Sequence, residues 1–260
     1  AYESMPSLVG SEMCIRDSTV TLRYGQVTGV SPDVKLTFYN AGHVLGSSMV
    51  HLHITEGVHN LVFTGDFKYA PTILLDPAFD GFTRAETVIM ESTYGGPTDN
   101  MPPRREVEEE LIRTINATVA EGGKTLIPVP AVGRAQDILA VIDKSLREGR
   151  VAEVPVFIDG MIDESSSIHL QYPTYLSSKI GSLITQGINP FRSEQFVVVK
   201  NSSVREEALS EGPCVIISTS GMMEGGPVIE YFRNLAGDSR NLLLFVSYQV
   251  AGTLGRRILD

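Results

Sequence analysis

The chain has 260 residues, 42% hydrophobic and 20% charged, the composition of a globular protein with one large domain or two modest ones. Its formal net charge of −10 excludes a protein that holds nucleic acid by a broad basic face, but not a nuclease, because bound divalent cations can supply positive charge locally. No apolar run approaches the ~18 residues of a membrane span, AYESMPSLVG lacks the basic-then-apolar order of a secretion signal, and Cys14 and Cys214 are too distant for a CxxC pattern, so a disulfide framework or cysteine zinc site is excluded and a reducing cytoplasm is the default compartment.

In chain order, residues 1–18 show no period, and their segment SEMCIRDS resembles translated adapter sequence. They are expected to be a non-native or disordered leader. From Thr19 short apolar strands follow: Val34 to Tyr39, Met49 to Ile54, Leu61 to Thr64 and Thr87 to Met90. Turn residues separate them, with no helix between, which predicts an antiparallel or mixed sheet over 19–95. The Pro- and Asp-rich stretch from Tyr69 to Thr83 reads as a loop, and GGPTDNMPP as a breaker run.

After that breaker the rhythm changes to alternating helix and strand over 96–260. A charged helix spans Arg104 to Glu121, with Arg104, Arg105 and the run Glu106 to Glu110 expected on its solvated face. Lys124 to Val129 is a strand. Ala135 to Glu148 is a helix, with Ile138, Leu139, Val141, Ile142 and Leu146 near helical spacing. Strands at Val154–Ile158, Phe196–Val199, Pro213–Ser218 and Leu242–Val246 alternate with helices at Ser165–Gln171, Thr174–Gln186, Val204–Ser210 and Val228–Leu235, and a last helix starts near Thr253. Such alternation predicts βαβ units and a mainly parallel sheet covered on both faces.

Three stretches place a polar group at the end of a strand, where a sheet scaffold presents functional side chains: NAGHVLGSS with His43, FTGDFKY with Asp66, and MESTYGG with Glu91. Imidazole and carboxylate suit zinc, and a carboxylate can bridge two metals. Taken singly, each has a plain alternative: a structural histidine, or an acidic turn or cap residue.

Together these stretches resemble the beta-CASP family of metallo-β-lactamase-fold ribonucleases, most closely its archaeal branch related to the cleavage and polyadenylation specificity factor endonuclease. NAGHVLGSSMVHLHI, LVFTGDFKY, ETVIMESTYGG, LIPVPAVGRAQDIL, VPVFIDGM, CVIISTSGMMEGGPVIEYF and FVSYQVAGTLGRRI carry the resemblance in order, over nearly all of Thr19 to Ile258. It implies an α/β fold: a partial metallo-β-lactamase sheet of the αββα type over 19–95, then a beta-CASP domain over 96–260. It implies two zinc ions, with His43 a ligand of one and Asp66 bridging both. Glu91 would aid proton transfer to the leaving oxygen. The substrate would be RNA, cleaved internally and also trimmed from 5′ ends.

For substrate binding, Arg134 opens a helix in GRAQ, where backbone N–H groups and a guanidinium suit a phosphate. Ser218, Ser220 and Gly221 lie in a hydroxyl- and glycine-rich loop, and Gly252 and Thr253 open the last helix in a similar way.

The chain departs from the family pattern in one respect. The HxHxDH motif and the later histidine motifs have no counterpart, and His43 is the first of five histidines. His51-Leu52-His53 lies within a strand and lacks the following Asp-His, so His51 and His53 are expected to be structural; His59 reads as a turn residue, and His169, on a helix, as structural or facing the substrate side. A catalytic zinc takes three protein ligands, and the matched positions supply fewer. The chain is therefore expected to be an internal fragment, inactive alone, of a protein that leaves room for homodimerisation. The alternative is a catalytically inactive RNA-binding scaffold of the same family. A nucleotide-binding domain is disfavoured by the lack of GxGxxG and GxxxxGK[ST].

Overall fold

Two five-stranded sheets organise residues 18–210 and 212–260, which the computed structural model describes. The leader expected over 1–18, Cys14 included, lies outside those residues except for Ser18.

The first sheet has strand order β1-β2-β3-β4-β5, with β1 Thr28–Ser31, β2 Val34–Asn40, β3 Ser48–Ile54, β4 His59–Phe63 and β5 Thr87–Ile89. β1 to β4 pair antiparallel and β5 joins β4 in parallel, so the sheet is mixed. Strand β1, unanticipated above, contains a single apolar residue, Val30; it forms because β2 offers its edge. Packed on this sheet are Ala41, Met49 and Ala78, bordered by Tyr39, Phe67 and Phe82.

The second sheet is parallel throughout, in the order β10-β6-β9-β7-β8: β6 Thr125–Pro128, β7 Val156–Asp159, β8 Phe196–Val198, β9 Val215–Ser218 and β10 Leu242–Leu243. Every residue of β6, β7 and β9 is buried, because helices cover both faces. Side chains alternate between those faces. Ile127, Val156, Ile158, Val215 and Ile217 pack with α1 (Arg104–Ala120) and α2 (Arg134–Arg147). Leu126, Phe157 and Ile216 face α5 (Ser202–Ser210) and α6 (Val228–Leu235), through Ala208, Val228, Tyr231 and Leu235. Between them come α3 (Ile162–Gln171) and α4 (Ser178–Thr185), and α7 (Leu254–Leu259) ends the chain.

The helix expected from Thr174 to Gln186 is broken into a 3₁₀ turn, Pro173–Tyr175, and α4. Ser177 makes the break: its hydroxyl caps α4 by accepting from the Ile180 N–H and donates to the Ile73 carbonyl at 2.7 Å. That bond also fastens the two parts of the chain. The Tyr69–Thr83 loop inserts Leu74 and Leu75 into the core of the parallel sheet, and the Ser177 N–H donates to the Leu74 carbonyl. Among the described residues no helix is long and apolar enough to cross a membrane.

Candidate functional site

His43 sits on the turn between β2 and β3, where Gly42 takes φ 65°. A side chain at Gly42 would strike the backbone of Lys68, Asp76 and Ala78, so glycine lets this turn lie flat against the segment after Asp66. The Lys68 N–H donates to the Ala41 carbonyl at 2.8 Å, holding the two turns in register. As a result His43 Nε2 lies 3.9 Å from Asp66 Oδ2, with the side chains 46% and 73% exposed. That is beyond a hydrogen bond but close enough for both groups to share one cation.

Glu91 follows β5. Its Oε2 accepts from the Thr93 N–H at 2.9 Å. The Thr93 hydroxyl and N–H hold its carboxyl below the usual carboxylate range, with smaller help from the Phe67 backbone and the charge of His43. Glu91 is thus an anion beside the His43–Asp66 pair.

The second part of the chain meets this cluster at the C-terminal ends of its parallel strands. The turn before α2 is built on Gln136, which is fully buried. Its Oε1 accepts from the Gly133 N–H, while its Nε2 donates to Ala131, Ile162 and Ser166. Gly133, at φ 81°, lies so close to the His43 turn that a side chain there would strike Val44. Arg134 is thereby placed beside the His43 turn, its Nη1 3.2 Å from Asp137 Oδ2.

Arg104 bonds the same Asp137 oxygen at 2.9 Å, and Asp137 is only 4% exposed. This corrects the expectation that Arg104 lies on a solvated face. Arg105 does lie there, but Arg104 bends under the helix to share a buried carboxylate with Arg134 and to pair with Glu108. Lys68 joins them: burial and the charges of Arg134 and Arg104 push its ammonium pKa down.

The loop after β9 lies next to the Pro130–Arg134 turn, since a side chain on Gly221 would strike Pro130. Ser218 is fully buried. The Ser220 hydroxyl donates to the Gly225 carbonyl and accepts from the Glu224 N–H, so Ser220 shapes the loop. Thr253 caps α7, accepting from the Arg256 N–H, and Gly252 is exposed at φ 92°. The Leu254 N–H donates to Glu224, which ties the two loops together.

His51 is buried against Tyr39, His53 and Phe82, and burial with the neighbouring His53 lowers its pKa. His53 Nδ1 bonds Asn60 Oδ1 at 2.8 Å, and His59 Nε2 bonds the Thr87 hydroxyl at 3.1 Å. His169 is buried beneath Phe191, its Nδ1 bonded to the Ser165 carbonyl. None of the four joins His43. Among the described residues no group of three His, Cys, Asp or Glu side chains is spaced to hold a metal. His43 and Asp66 therefore fit zinc in chemical kind, but supply two donors where three or four are needed.

Residues 135–258 match the Beta-Casp domain model. The chain is 52% identical over 248 residues to the transcription termination factor FttA of Cenarchaeum symbiosum, covering 95% of this chain and 38% of that protein. It is likewise 52% identical over 242 residues to transcription termination factor FttA of Thermococcus kodakarensis (92% and 37%), and 48% identical over 247 residues to that of Methanocaldococcus jannaschii (94% and 39%). The chain thus spans less than two fifths of the length of these relatives.

Proposed function

The chain belongs to the beta-CASP family, and on that premise we propose that it is the RNA-cleaving centre, in part, of a zinc-dependent RNA phosphodiesterase. It would act in RNA processing or decay, including RNA cut at transcription termination, the process for which its relatives are named. One observation carries this reading: His43, Asp66, Glu91 and Arg134, drawn from four separate segments, converge where the two sheets meet.

In this reading His43 and Asp66 would hold zinc together with further ligands beyond the described residues. Bound zinc supplies Lewis-acid charge for the attacked phosphate. Arg134 orients the strand by one phosphate, its guanidinium held by Asp137. Glu91, kept anionic by Thr93, takes part in proton transfer at the scissile bond. The chain alone is expected to bind single-stranded RNA without cleaving it.

Filter binding of a short single-stranded RNA tests the RNA assignment, and isothermal titration with zinc tests the metal assignment. RNA binding that weakens with salt, together with weak zinc binding, is expected. Submicromolar binding of two zinc ions per chain would show that the centre closes within these residues, and absence of RNA binding would refute the RNA assignment.

A further inference from the structure

Two exposed tyrosines lie at the junction of the sheets. Tyr94, three residues after Glu91, and Tyr248, after β10, meet edge to face with ring centroids 5.8 Å apart and planes at 86°. They remain 49% and 45% exposed. Such an arrangement occupies one face of one ring and leaves the other faces open. Among the described residues neither hydroxyl has a hydrogen-bond partner, whereas Tyr24 donates to Ser47 and Tyr231 to Asp159. Tyr39, Phe79 and Phe82 use their faces on each other.

Both rings stand on fixed backbone. Gln249, buried next to Tyr248, donates to the Gly221 and Ser247 carbonyls. Tyr94 follows the Glu91–Thr93 turn. Arg134, anchored on Asp137, is near enough for its charge to act on the Tyr94 hydroxyl, as are Tyr248 and Glu91. A cation beside two half-open aromatic rings provides the two elements that single-stranded nucleic acid uses: a contact for phosphate and a surface for a base.

We propose that Tyr94 and Tyr248 form a stacking platform that holds a nucleobase of single-stranded RNA beside Glu91 at the junction of the sheets. This rests on the RNA reading above. A base stacked there would bring the adjoining phosphate toward Arg134. Because every base has a π face, the platform would orient the strand without selecting its sequence.

The chain contains no tryptophan, so Tyr248→Trp introduces a single indole reporter that can itself stack. In the 260-residue chain, its fluorescence should be quenched by short oligouridylate or oligoadenylate, but not by a strand with abasic sites. Tyr94→Ala and Tyr248→Ala should weaken base-bearing RNA by at least about fivefold, the low end of stacking contributions. The abasic strand should be affected less than about twofold, and Tyr94→Phe should retain binding. RNA that binds without quenching, or Ala variants that weaken both strands equally, would overturn the platform and leave the RNA reading standing. Absence of binding by any RNA would overturn both.

Discussion

Asp159, the last residue of β7, is 3% exposed. Its Oδ2 accepts from Arg205 Nε at 2.8 Å and from the Tyr231 hydroxyl at 2.9 Å, while Oδ1 accepts from Arg205 Nη2 at 3.2 Å. Asp159→Ala removes one carboxylate and strands two donors. Tyr231 is fully buried and, among the described residues, its hydroxyl donates only to Asp159, while Arg205 keeps only Glu230, at 3.1 Å. Losing this carboxylate leaves a buried phenol unpaired and a guanidinium that is 26% exposed without its main partner, which costs roughly 2–4 kcal/mol. For a chain of this size that lowers the unfolding midpoint by roughly 10 °C. Urea and thermal unfolding measure it. The triple variant Asp159→Leu, Arg205→Met, Tyr231→Phe should recover most of the loss, since an apolar replacement leaves nothing unpaired. An Asp159→Ala cost below about 1 kcal/mol would refute the reasoning. The effect should also reach the site. A side chain at Gly160 would strike Thr219, so the end of β7 supports the loop that packs on Pro130.

Arg134→Ala should weaken single-stranded RNA binding about tenfold and reduce the slope of log affinity against log salt by about 0.7, the value for one phosphate contact. Its stability cost should stay under about 1 kcal/mol, because Arg104 still pairs with Asp137. Glu86, clasped by Asn60 and Arg84, has its carboxyl held at about 2 against an ordinary 4.5. A depressed carboxylate stabilises the fold above its unfolded value and loses that contribution as pH falls toward the folded one. The stability difference between Glu86→Gln and the parent should therefore be constant above about pH 5 and vanish near pH 2; a difference unchanged at pH 2 would contradict the clasp. Lys68→Met should raise the unfolding midpoint at neutral pH while weakening RNA binding, and the stability gap should close as pH rises toward the ordinary lysine value of 10.5.

Most of the fold was legible because burial leaves a period in the sequence. β6, β7 and β9 are apolar runs buried on both faces, and α2 carries its apolar stripe at helical spacing. β1 was not, since an edge strand needs only a partner's free backbone groups. Of the candidate residues, His43, Asp66 and Glu91 stand out in the sequence because each follows a strand in a recognisable motif. Lys68, Tyr94 and Tyr248 gave no such signal; their meaning comes from neighbours far away in sequence. Asp137 and Arg104 are 33 residues apart, and Asp159 and Tyr231 are 72 apart. A helix-face reading of Arg104 fails for the same reason: α1 lies on α2, so that face is an interface.

Lys68 belongs to a cluster of cations in an acidic chain. Lys68, Arg104 and Arg134 gather around Asp137, and Glu108, with Lys144 4.0 Å away, is the other carboxylate of the group. Within this group cations outnumber carboxylates, although the chain as a whole carries −10. A half-buried ammonium whose pKa is lowered by burial and by two guanidiniums costs stability while it stays charged. An apolar side chain of similar length would avoid that cost, and local arrangements that work against the fold tend to occur where function needs them. Two residues before it stands Asp66, and its own backbone supports the His43 turn. A phosphate arriving between Lys68 and Arg134 would neutralise the surplus, so the groups that weaken the free protein are the ones that RNA binding would satisfy.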